Sequence, residues 1–158
     1  MSTSSLAVAP KKKDSIRKKL KKTYEIPEKT RAIIVSNLTD TNINHFLQEA
    51  CEALDCTFLS KIPQDLIGGA DAILLSGDES VDFLRDFLAS GVVPILPKKS
   101  EIASYFESFN PMKFTGNAFL YKKNNSFLIF EKICGFLENR KYPGDKKILT
   151  KNIRATRV

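Results

Sequence analysis

Apolar residues fall along this chain in short unbroken runs, separated by longer stretches with helical spacing. Ala32 to Ser36, Ala72 to Leu75 and Val92 to Leu96 read as buried strands, because each is apolar on both faces of an extended chain, and Thr57 to Leu59 and Ala118 to Tyr121 read as further short strands. Between them the period changes. Phe46, Leu47, Ala50 and Leu54 share one side of a helix predicted from Ile43 to Leu54. Val81, Leu84, Phe87 and Leu88 do the same after the third strand, and Leu128, Ile129, Ile133, Phe136 and Leu137 after the fifth, in a helix from Phe127 to Arg140. Gly91 suits the left-handed stop of the middle helix, and one of Ser76, Gly77 and Asp78 is expected to cap its start. Pro94 points to an edge position or an early strand end.

The remaining segments fill in around this alternation. Pro63 to Gly69 reads as a connection with a short helical turn. Glu101 to Phe109 reads as a helical piece with Ile102, Tyr105 and Phe106 on one side, and Pro143-Gly144-Asp145 as a turn before a last basic helix. Strands alternating with helices imply an α/β fold, a Rossmann-like doubly wound parallel sheet of four to five strands. The expected organisation is a disordered tail over residues 1–10, a basic helix and linker over 11–26, the sheet domain over 27–141, and a basic helix over 142–158. A hydrophobic fraction of 42% over 158 residues supports one core. No apolar run is long enough for a helical membrane span, and the start is too polar for a secretory leader, so the expected compartment is the cytoplasm.

Charge alters the picture once it is divided along the chain. The net charge is +7, yet residues 1–22 hold eight basic side chains against Asp14, and residues 140–158 hold seven against Asp145. The body between them is therefore acidic. One reading docks the basic ends on that body. Another uses Lys11, Lys12, Lys13, Arg17, Lys18 and Lys19 to bind an anion, with nucleic acid or an anionic membrane surface as the partner of residues 11–22. Cys51, Cys56 and Cys134 read as reduced core residues, and with His45 the one histidine no metal site and no cofactor is expected.

Several chemistries lack their residues. There is no phosphate-binding loop ending in Lys-Ser/Thr and no dinucleotide glycine fingerprint. A phosphoacceptor receiver domain needs an acidic pair after the first strand and an Asp after the third. Those places hold Ser36-Asn37 and Ser76.

Read together, SNLTDTNINHFLQEACEAL, ADAILLSGDES, LASGVVPILP and FTGNAFLYKKNNSFLIFEKI resemble, in order, the carboxyl-terminal half of the starch and glycogen synthase type of glycosyltransferase. The resemblance covers roughly residues 12–158, and its most specific pieces are Gly91 to Ile95 and Thr115-Gly116. It implies a nucleotide-sugar site beyond the carboxyl ends of the strands, around Ser36, Ser76, Thr115 and Gly116. An acid that grips the donor sugar falls on Glu79 counted forward from Ser76, or on Asp78 counted back from Gly91; Asp86 matches a second acidic position. The departures carry equal weight. The arginine and lysine that face the donor diphosphate in the family are Asn37 and Asn42 here, which removes the cations that offset leaving-group charge. Lys61 and Arg85 are expected elsewhere in the sheet order. The stretch from Leu54 to Ala70 is shorter than the family's, and the acceptor-binding half has no counterpart.

Three functions stay open. The first is a non-catalytic glycosyltransferase-like binding or interaction module, a pseudoenzyme. The second is the nucleotide-sugar subunit of a split glycosyltransferase, with a protein partner supplying the missing half. The third is a nucleic-acid-associated module acting through the basic start. For Asp78, Glu79 and Asp82 the plain alternative to ligand binding is the stabilisation of a helix amino terminus.

Overall fold

A computed structural model of the chain describes residues 10–158. The tail expected over residues 1–10 lies, apart from Pro10, outside the described residues, as does the side chain of Lys11. Five strands, β1 (Ile33–Ser36), β2 (Thr57–Ser60), β3 (Ala72–Leu74), β4 (Val93–Pro97) and β5 (Phe119–Tyr121), form one all-parallel sheet in the order β2-β1-β3-β4-β5. Helices α1 (Pro10–Thr23), α2 (Thr41–Ala53), α3 (Val81–Leu88), α4 (Ser126–Asn139) and α5 (Pro143–Ala155) flank it, with short 3-10 helices at Gln64–Gly69 and Glu101–Tyr105. The chain is thus a Rossmann-like α/β domain. No described helix is long and apolar enough to cross a membrane.

The central strands β1, β3 and β4 are buried at every position, as their unbroken apolar runs require, whereas β2 is only partly covered. The crossover from β1 to β2 runs one way across the sheet and the crossover from β3 to β4 runs the other. With right-handed crossovers this places α2 and α3 on opposite faces. Accordingly α2 packs with α4, while α1 and α3 pack against the first 3-10 helix. The direction reverses between β1 and β3, so the carboxyl ends of these two strands border the crevice where such sheets hold ligands. Both basic helices belong to the same core as the sheet: Leu20 of α1 and Ile153 of α5 are wholly buried.

Four expectations need correction. β4 is not an edge strand, since it pairs with β3 on one side and β5 on the other. Pro94 is tolerated because Val93 N–H donates to the Asp71 carbonyl on the β3 side. Alternate residues face alternate neighbours, so the Pro94 nitrogen faces β5, where pairing begins only at Ile95 with Phe119. The cap of α3 is Ser80, whose hydroxyl accepts from Phe83 N–H at 3.2 Å, and not Ser76, Gly77 or Asp78. Pro143-Gly144-Asp145 is the first turn of α5, with Pro143 in the opening position where its missing N–H costs nothing. Finally, the helical piece after β4 stops at Tyr105, and Ser108 bridges Ala118 in parallel, extending the sheet beyond β5.

Candidate functional site

At the carboxyl ends of β1 and β3 the structure builds a small cradle of donors and fills it with the protein's own carboxylate. Gly77 takes φ +108, which turns the chain sharply after β3 and brings successive N–H groups to one side. Ser76 N–H donates to Glu79 Oε2 at 2.7 Å and Gly77 N–H to Glu79 Oε1 at 2.8 Å. Asn37 Nδ2 reaches across from β1 and donates to Glu79 Oε2 at 2.7 Å. The Ser76 hydroxyl lies within reach of both Glu79 Oε2, at 2.9 Å, and Asp78 Oδ1, and its one proton serves one of them at a time. A Cβ on Gly77 would fall 2.5 Å from Ser100 Cβ, so the loop is also closed from the β4 side. Beneath it Tyr121 is fully buried and donates to the Leu75 carbonyl at 3.2 Å. Burial, and secondarily the Glu79 charge, push its hydroxyl above the usual tyrosine range.

The other predicted residues scatter. Ser36 is buried; its hydroxyl donates to Asn44 Oδ1 at 2.6 Å and accepts from Leu38 N–H, so it ties β1 to α2. Asn42 is exposed in the first turn of α2, where its N–H is capped by Asp40. Asp82 sits in the first turn of α3 as a helix-terminus acid would, whereas Glu79 folds back onto the loop. Asp86 accepts from Gln64 and lines a cleft of about 450 Å³ with Lys12 and Lys19, two of the predicted anion-binding lysines. Thr115 and Gly116 precede β5, so in an all-parallel sheet they lie at the amino edge, opposite Ser36 and Ser76. There Gly116 has φ +95, and a Cβ would fall 2.3 Å from the Ser108 carbonyl oxygen. The site expected around Ser36, Ser76, Thr115 and Gly116 therefore does not assemble at one edge. Lys61 corrects a further expectation: it follows β2, and its N–H donates to the Ser36 carbonyl at 3.4 Å, so this lysine emerges at the carboxyl edge one strand from Asn37. Lys98 emerges at the same edge after β4. A lysine directly after an apolar run was the signal for both. Arg85 stays on α3, paired with Asp82 at 3.3 Å.

The amino edge carries a second constellation, centred on Asp71. This residue precedes β3; its carboxylate accepts from Ile33 N–H at 2.7 Å, pairs with Arg17 of α1 at 3.1 Å, and lies 3.4 Å from Arg140 at the end of α4. Lys13 donates to the carbonyls of Gly68 at 2.8 Å and Ala70 at 3.1 Å, and Arg17 donates to Gly69 at 2.9 Å. These bonds satisfy the 3-10 helix carbonyls and seat α1. Gly69 permits the close approach, since a Cβ there would meet the Arg17 backbone at 2.8 Å. Burial, together with Arg17, Arg154 and Arg140, lowers Lys13 to about 8 against the pull of Asp71. Lys146 of α5 is lowered chiefly by Arg140, then by burial. The Arg154 guanidinium lies over Gly91, 3.2 Å from where a Cβ would be. Its Nε is buried and, among the described residues, shares with Asn139 Oδ1 the lack of any hydrogen-bond partner. Leaving such an atom unsatisfied costs ~1–3 kcal/mol. Of the anion-binding candidates, Lys13 and Arg17 thus face inward, while Lys12, Lys18 and Lys19 stay exposed.

The three cysteines are free, and burial pushes the Cys51 thiol up to about 12, which makes it a core residue and not a nucleophile. No protein-family model matches the chain, and no curated protein matches it.

Proposed function

We propose that this chain is a non-catalytic binding module, similar in plan to the donor half of a starch or glycogen synthase type glycosyltransferase. The observation that supports this reading is the Glu79 carboxylate, which takes up the donors of Ser76, Gly77 and Asn37 at the crevice between β1 and β3. A donor diphosphate entering there meets a negative charge already satisfied by three N–H groups. It would have to eject that charge, or sit beside it at a repulsion of ~4 kcal/mol for unit charges 4 Å apart near a surface. Transfer chemistry instead requires donors or cations aimed at the leaving oxygen.

The test is to incubate the full chain with uridine and adenosine diphosphate glucose and follow both binding and sugar release. The expected result is no turnover, with binding gained when Glu79→Gln frees the cradle of its charge. Sugar transfer or nucleotide release by the unsubstituted chain overturns the proposal. The emergence of Lys61 and Lys98 at the same edge favours one second reading, a nucleotide-sugar subunit that works with an acceptor-binding partner. Tight retention of the sugar nucleotide by the unsubstituted chain, lost in Lys61→Gln, selects that reading.

A further inference from the structure

We infer that the amino edge of the sheet is a binding site for a compact phosphate-class anion, held between α1 and α5 by Lys13, Arg17, Arg140, Lys146 and Arg154. The site lies on the edge opposite Glu79 and stands whether or not the chain turns over a sugar nucleotide.

The first support is a charge imbalance. Docking α1 needs Asp71, its two arginine partners and the Lys13 contacts to the 3-10 helix. It does not need Lys146 or Arg154, neither of which is ion-paired among the described residues. Yet both come close enough to matter: Arg154, Arg17 and Arg140 act on Lys13, and Arg140 and Arg17 act on Lys146, while the one acid felt by both lysines is Asp71. Gathering five cations from two helices and one helix end around a single carboxylate raises the energy of the empty edge. An incoming group with two or more negative charges lowers it again.

The second support is donor geometry. Among the described residues Arg154 Nε, on α5 at this same edge, is a buried donor left without a partner, whereas the other such atom, Asn139 Oδ1 beside Arg140, is an acceptor that an anion does not satisfy. Gly91, at φ +74, leaves the space in which the Arg154 guanidinium lies. The face of α5 bearing Lys146, Lys147, Thr150, Lys151 and Arg154 lines a cavity of about 550 Å³, which holds the α5 share of the cations; Lys13, Arg17 and Arg140 do not line it and meet this group only through Asp71 and the Arg154 side. A third point separates a compact anion from a polymer. The side chains of Arg17 and Arg140 are only 24% and 21% exposed, so they are recessed. A phosphate group can enter such a recess, whereas a nucleic-acid backbone tracks cations that stand clear of the surface, as Lys18 and Lys22 do.

The experiment is calorimetric titration of the full chain with inorganic phosphate, inorganic pyrophosphate, adenosine diphosphate and a single-stranded RNA oligomer at two salt concentrations. Pyrophosphate is expected to bind one to one, and Lys146→Gln and Arg154→Gln are each expected to weaken it about tenfold, the worth of one charge-assisted hydrogen bond. The outward pair Lys18→Gln/Lys22→Gln is expected to change it by no more than about twofold. Adenosine diphosphate binding more tightly than pyrophosphate identifies the phosphate as an esterified one; the reverse identifies a free anion. Lys146 is exposed, so its variant reports on binding even if Arg154→Gln loses stability, which a melting curve on each variant detects. Absence of saturable binding to phosphate and pyrophosphate overturns the inference. So does RNA binding that is tighter, steeply salt-dependent and weakened equally by the outward pair.

Discussion

Replacing Asp71 with Asn tests how the basic ends are held. The substitution keeps an oxygen that accepts from Ile33 N–H but removes the charge facing Arg17 at 3.1 Å and Arg140 at 3.4 Å. The Asp71 side chain is 11% exposed and its partners 24% and 21%, so the group is neither a surface pair nor a sealed one. Breaking one partner of a fully buried pair costs ~3–5 kcal/mol and an exposed pair contributes under ~1, which brackets this loss at roughly 2–4 kcal/mol. The stranded cations add to it, because Lys13 and Lys146 then face Arg17 and Arg140 with no acid between them. For a domain of this size that range corresponds to a drop of roughly 5–12 °C in melting temperature. Circular dichroism melts of the full chain provide the measurement, with the exposed Asp78→Asn as a control expected to stay within about 0.5 kcal/mol. Salt identifies the mechanism: raising ionic strength is expected to narrow the gap between Asp71→Asn and the unsubstituted chain, since it screens the residual repulsion. Adding Arg140→Gln to Asp71→Asn is expected to recover part of the loss by removing one surplus cation. A melting temperature for Asp71→Asn within a degree or so of the unsubstituted chain, at low salt, refutes the reasoning.

Two further outcomes follow from neighbouring geometry. Lys13 has a folded-state pKa lowered from 10.5 to about 8, so it is charged in both states below pH 8 and folding bears the full penalty there. Between pH 8 and 10.5 the unfolded chain holds the extra proton, so this residue makes stability rise with pH, and Lys13→Met is expected to abolish that rise. The difference between the two proteins is best read from pH 7 to 9, because burial of Cys51 lowers stability at higher pH. Flat, superimposable profiles would remove Lys13 from the cluster. Ser36→Ala strands Asn44 Oδ1 and Leu38 N–H inside the β1–α2 junction, with an expected loss of ~2–4 kcal/mol by denaturant titration.

The strands and long helices were legible because a doubly wound sheet writes itself into sequence as apolar runs alternating with helical periods. Where reading failed, a neighbour not visible in one dimension decided the outcome. Pro94 looks like an edge residue until the partner strand is found to start one position later. Ser76 and Asp78 look like caps because they are polar turn residues directly after a strand, and only the turn at Gly77 moves the cap on to Ser80. Thr115 joins Ser76 by resemblance, yet entering a parallel strand and leaving one are opposite ends of the sheet. The cluster at Asp71 was invisible for a stronger reason: its members are spread from Lys13 to Arg154 and meet only because α1, α4 and α5 all reach the amino edge.

The two edges of the sheet differ in one physical respect that bears on function. After β3, left-handed backbone at Gly77 creates convergent N–H donors, and a chain with nothing three residues on would offer them to a ligand. Here Glu79 stands at that spacing and Asn37 adds a neutral donor, so the carboxyl edge satisfies its own anion hole internally. At the amino edge the reverse holds: one carboxylate is shared among more cations than it can pair, and a guanidinium nitrogen is buried with no acceptor among the described residues. Internal satisfaction is what a fold uses to rigidify a loop, whereas uncompensated charge persists at a cost unless something outside the fold offsets it. The capacity to take up an external anion therefore resides at the amino edge, and the edge where sheets of this topology ordinarily hold ligands keeps its donors for itself.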